Sequence, residues 1–211
     1  NDQRGLFIFL GEEPHLNAGG YATAFFEMVE AIGVKRVAGV GGVYGAMPYD
    51  RDREISCAYS LRRMKDELNT YAVRFSNYRG GTTIGSYLLK HASMRDIELL
   101  VFYAFVPAYD LSQLSGLLQG IRIENDYKAW LDLMRRLNYM FNLEIELSDL
   151  IRRSEELSLS MTRKVAELDE KLPQAMVSAY LQELANDFTE HSFSPLDDVW
   201  ERELGNLLDD L

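Results

Sequence analysis

The chain has 211 residues, 47% of them apolar, one cysteine and a formal net charge of −11. That length suits one large domain, or one domain with an appendage, with a core that needs no staples. The lone Cys57 excludes an internal disulfide and suits a reducing, cytoplasmic compartment, and no apolar run approaches the ~20 residues of a spanning helix.

The charge is unevenly spread. Residues 1–139 carry 16 acidic and 16 basic side chains, and residues 140–211 carry 17 and 6, so the last third holds the whole −11. A surface of that sign repels phosphate backbones and argues against a nucleic-acid partner. It reads as a solvated helical face; the sharper alternative is an acidic docking surface for basic partners.

Gly5–Gly11 is an apolar run bounded by glycines, read as a strand buried on both faces. The chain opens on Asn1 and enters this strand almost at once, which leads us to expect a fragment. Asn17 is placed to cap a helix whose Tyr21, Phe25, Met28, Val29 and Ile32 share one face, and Gly33 ends it. Lys35–Val40 follows as a strand, completing a strand–helix–strand unit that in one sheet is a right-handed parallel crossover. Residues 41–50 read as a glycine-rich loop, 50–54 as a charged turn and 55–59 as a short strand. Ser60 is expected to cap a helix containing Leu61, Met64 and Leu68. Residues 72–75 form the next strand, and the turn Tyr78–Thr83 leads into an apolar helix, Ile84–Ala92. Ile97–Val106 is the last and strongest strand. Four helices are then expected: Tyr127–Phe141, one entered through Leu147 and Ser148 and carrying Leu168, one from Pro173 to about Phe188, and one opened by Ser194-Pro195. The expected division is residues 1–115 as an α/β core, incomplete at its start, and 116–211 as a helical extension packed on the core or on neighbouring subunits.

In open α/β sheets, ligands bind beyond the carboxyl ends of the strands. The loops expected there bring Glu12, Glu13, His15, Asn17, Tyr44, Arg79, Gly80, Gly81, Thr82, Thr83 and Tyr109 into one hypothetical cleft. A glycine turn before a helix bares backbone N–H groups where the helix dipole favours anions, and Arg79 strengthens that reading. The bland alternative is a close-packing turn among ordinary loop polar residues. No Walker motif, dinucleotide fingerprint or G-x-S-x-G elbow is present. No histidine pair has metal-ligand spacing, so no metal is expected. Cys57, on a strand with no histidine near it in sequence, reads as packing before nucleophile.

The order and spacing of several segments resemble the proteasome assembly chaperone 2 family, in its bacterial uncharacterised branch. These are Phe9-Leu10-Gly11-Glu12-Glu13-Pro14, Val34–Gly42, Tyr78–Gly85, Phe105–Tyr109 and Leu143–Leu150. The likeness covers about residues 5–170. It implies a three-layer α/β/α fold with a mixed, mostly parallel sheet, like that of phosphorylases and hydrolases, plus a C-terminal helical extension. It also implies a further strand-rich segment before Phe7, and homo-oligomers such as trimers. The family has no agreed catalytic residues to carry over. Some members dock on proteasomes through a hydrophobic–Tyr–any tail, a pattern that Leu208-Asp209-Asp210-Leu211 does not match. The expected function is a cytoplasmic homo-oligomeric, protein-binding or assembly scaffold without catalysis and without a cofactor. The alternative is an enzyme or sensor for a small anion or nucleoside, using the Gly80-Gly81-Thr82-Thr83 loop.

Overall fold

In the computed structural model, residues 5–75, 83–116, 118, 120–191 and 193 are described. The expected turn at Arg79–Thr82 and the fourth helix after Ser194 lie outside them.

The organising strand is β4, Glu98–Tyr109. It pairs in parallel with β1, Arg36–Gly45, over ten residues from Arg36↔Glu98 to Gly45↔Pro107. On its other side it pairs antiparallel with β2, Ile55–Tyr59, which pairs in parallel with the two-residue β3, Arg74–Phe75. The order is β1-β4-β2-β3, and a short β5, Ile121–Arg122, joins the far end of β4.

Alternation along β4 distributes the layers, since successive side chains point to opposite faces. Leu99 and Val101 meet Phe26 of helix α1, Ala18–Ala31, and Ala92 of α3, Ile84–Met94. Leu100, Phe102 and Ala104 face the other way. They pack with Met64, with Leu68 of α2, Lys65–Asn69, and with Ala129 and Leu133 of α4, Tyr127–Phe141. The sheet is thus covered on both faces, as an α/β/α sandwich. A further core forms where β4 and β5 meet α5, Ser148–Lys171, and α6, Val177–Asn186; it contains Tyr109, Ile121, Met161, Val165 and Leu181.

Local chemistry explains the boundaries. Asn17 accepts from the Gly20 amide as N-cap of α1, and Gly33 follows in the left-handed region. Asp126 accepts from the Lys128 and Ala129 amides as N-cap of α4. The third expected helix is divided: Pro173–Ala175 form a 3₁₀ turn, and Met176 at φ 49° breaks it from α6.

Several expectations are corrected. Residues 41–45 are strand, not loop, because backbone pairing with β4 continues regardless of side chains. The missing Cβ of Gly41 gives Tyr103 room: one placed there would lie 3.1 Å from its ring. Ser60 caps no helix; its hydroxyl donates to Ile97 O and accepts from Leu99 N, latching the end of β2 to the start of β4. Only a 3₁₀ turn, Arg62–Met64, and the short α2 follow it. The strand expected over residues 6–10 is absent. Those residues pair with no strand among the described residues and stand exposed, with Leu6, Phe7, Ile8, Phe9 and Leu10 at 59, 66, 78, 52 and 89%. Apolar content signals a wish to be buried, but a strand also needs a neighbouring backbone.

Candidate functional site

The start of α3, Ile84–Met94, is where residues expected in the cleft come into contact. Thr83 is its N-cap, and its side chain and Ser86 exchange hydrogen bonds with each other's backbone amides as a capping box. The Ile84 amide, another free donor of that first turn, is taken by Glu13 Oε1 at 2.6 Å. The carboxylate stands where the dipole favours negative charge. Gly85 permits this turn to lie on the sheet, because a Cβ there would come 2.6 Å from the Tyr103 hydroxyl. The start of α1 is adjacent: a Cβ on Gly19 would lie 3.7 Å from the Tyr87 hydroxyl of α3.

The structure therefore brings Glu13, Asn17 and Thr83 to one end of the α1/α3 layer. Glu12 and His15 are exposed beside them in sequence. Tyr109 is elsewhere. It sits six residues beyond Tyr103, roughly 20 Å along an extended strand, and is buried, with its hydroxyl donating to Met47 O at 2.6 Å. Burial holds its phenol well above the usual range. Tyr44 is exposed at the end of β1, under the Arg122 guanidinium at 5.7 Å. Arg79, Gly80, Gly81 and Thr82 lie outside the described residues. Among the described residues, no His/Cys/Asp/Glu group could hold a metal.

Two further charged clusters were not legible in the sequence. At the amino end of β1, Arg36 bridges Glu67 at 2.6 Å and Glu98 at 2.7 Å, and those hydrogen bonds hold both carboxyls below their ordinary range. The other cluster is buried. Arg53, 1% exposed, donates to both Asp126 oxygens (2.7 and 3.2 Å) and to the carbonyls of Pro48, Tyr49 and Arg51. Its backbone amide donates to Asp132, whose carboxyl burial pushes up to about 6. Arg136 is pulled down to about 10 by burial and donates to the carbonyls of Tyr71, Ala72 and Asp132. Every one of these groups is spoken for within the fold, so this is a clamp rather than an acid–base pair. It ties the loop after β1 and the bend at Ala72 (φ 47°) to α4. Cys57 is buried, its thiol pushed up to about 12, which suppresses the nucleophilic thiolate.

What the molecule leaves unsatisfied is an edge. β1 has β4 on one side and, among the described residues, no strand on the other. Along it Val40 and Tyr44 are each 56% exposed and Val43 is 39% exposed. The Leu6–Leu10 run is a second exposed apolar segment, on a chain whose net charge is −11. Such surface, where it is contiguous, marks interaction sites.

The fold is an α/β/α sandwich around a mixed sheet. The model of the PAC2 family matches residues 1–165, and the chain belongs to that family. Known structures agree. A PAC2 family protein from Streptomyces avermitilis superposes with a TM-score of 0.63 at 18% identity, over 76% of this chain and 63% of that one. A proteasome-assembly chaperone homologue from Mycobacterium tuberculosis gives 0.60 at 20% identity, over 74% and 60%. Pyrococcus furiosus PbaA, an archaeal homolog of proteasome-assembly chaperone, gives 0.51 at 18%, over 78% and 65%. At such identities the likeness is one of fold, and the chain spans less than two thirds of each. No curated protein matches. No helix among the described residues is long and apolar enough to cross a membrane.

Proposed function

We propose that this chain is a proteasome-assembly-chaperone-like protein that works as a homo-oligomeric, protein-binding scaffold without catalysis in the cytoplasm. The observation that carries the reading is the exposure of two apolar segments, Leu6–Leu10 and Val40, Val43 and Tyr44 of β1. The named relatives, an assembly chaperone homologue and an archaeal one, support contact with other protein chains as the activity. A trimer is the assembly that the family likeness suggests. Light scattering after size exclusion tests this directly. A mass of two or more chains at micromolar concentration is the expected result; a strict monomer over that range overturns it.

The small-anion alternative draws on the start of α3, and Glu13 weighs against it. A free anion would have to displace a tethered carboxylate from the Ile84 amide. A thermal-shift screen with phosphate, nucleosides and nucleotides, repeated on Glu13→Gln, decides the matter. Saturable stabilisation that strengthens in the variant would favour the anion site; no shift in either protein removes it.

A further inference from the structure

We propose that the Leu6–Leu10 arm of one copy docks as an added strand on the edge of β1, which no strand covers among the described residues, in a second copy; this deepens the scaffold reading and rests on it. An edge strand exposes a row of N–H and C=O groups that template another strand. Proteins usually blunt such an edge with charge, proline or a bulge. From Val37 to Gly45 β1 has neither a charged residue nor a proline, and its ladder to β4 runs without a bulge.

The arm supplies what that edge lacks. From Gly5 to Gly11 it too has neither charge nor proline. Its five apolar residues, at about 3.3 Å each, span roughly half the length of β1. They are large, whereas Gly39, Gly41, Gly42 and Gly45 of β1 carry no side chain, so big and small positions would alternate across the new pair.

Within one chain the arm is held away from β1. Phe9 meets Tyr21 and Phe25 of α1 edge-on, at 6.4 and 5.5 Å between ring centres, and Glu13 is tied to Ile84. Leu6, Phe7, Ile8 and Leu10 project into solvent. Donor and acceptor are both on this one sequence, so each copy can give its arm to the next and close a ring without any foreign partner.

Cross-linking tests the pairing. Ile8→Cys is made on one tagged population and Val40→Cys on another, and the two are mixed with a short bismaleimide. Cys57 is buried and stays silent. The expected result is a covalent product containing one chain of each kind, lost when Phe7→Asp is added to the arm. Phe7 is 66% exposed, so that change leaves the melting of the fold itself intact. A third preparation carries both cysteines on every chain, and cross-linking there confined to single chains would overturn the exchange. Failure to cross-link in a preparation that light scattering shows to be oligomeric would also overturn it, while leaving the scaffold reading in place. Failure in a monomeric preparation overturns both.

Discussion

Replacing Arg53 by methionine tests the buried clamp. Met fills much of the aliphatic volume but removes every donor. It strands Asp126, 2% exposed, and the carbonyls of Pro48, Tyr49 and Arg51. Removing one partner of a buried ion pair costs about 3–5 kcal/mol, chiefly because the remaining charge loses its compensation. Asp126 keeps two amide donors as the cap of α4, which holds the loss inside that range rather than above it. Adding Asp126→Asn removes the stranded charge while preserving a capping oxygen, so the double variant should recover about half. Urea unfolding followed by circular dichroism, at one fixed protein concentration, gives all four corners of the cycle. A loss below about 1 kcal/mol for Arg53→Met, or no recovery in the double variant, would refute the clamp.

The other predictions are smaller. Gly85→Ala destabilises by about 1 kcal/mol because of the Tyr103 hydroxyl 2.6 Å from the new Cβ. In a Tyr103→Phe background the same change stabilises, since alanine is the better helix former; the same sign in both backgrounds would contradict the contact. Asp132, raised to about 6 from the ~4 of an unfolded aspartate, binds more protons folded than unfolded between those values. Its contribution is therefore fully present below pH 4 and falls as pH rises through 6. Asp132→Asn should gain about 2 kcal/mol on the wild type between pH 4 and pH 7.5, read from melts at both, and an equal difference at both would remove Asp132 as the cause. Glu13→Gln lowers stability by about 0.5–1 kcal/mol at low salt, and by less in 1 M salt, through its charge at the start of α3. An unchanged melting temperature at low salt would contradict that role.

The legible parts of the fold were those with local causes. Asn17 before α1 and the apolar stripe of α4 declared their helices through capping chemistry and 3.6-residue spacing. The α/β class followed from strands alternating with such helices, and the three-layer arrangement from the family resemblance. What depended on a distant partner was hidden. Gly41–Gly45 looked like a loop until β4 was beside it. Arg53 looked like part of a surface turn, because nothing nearby in sequence announces Asp126, 73 residues on. Leu6–Leu10 showed apolar content but not the backbone it would pair with. Of the residues expected in one cleft, Glu13 and Thr83 meet at the start of α3 through the Glu13–Ile84 contact, between positions 71 residues apart, which no local signal announces. Tyr109 was grouped with them only through a strand end that proved to run three residues past Val106 into a separate core.

The central claim is that the outer edge of β1 is a contact surface between copies. Hydrogen exchange of the amides in residues 36–45, followed by mass spectrometry at two protein concentrations at least tenfold apart, tests it most directly. Protection there, and in residues 5–11, should rise with concentration, while residues 100–104, paired on both sides within one chain, stay constant. Exchange in residues 36–45 that is the same at every concentration would contradict it.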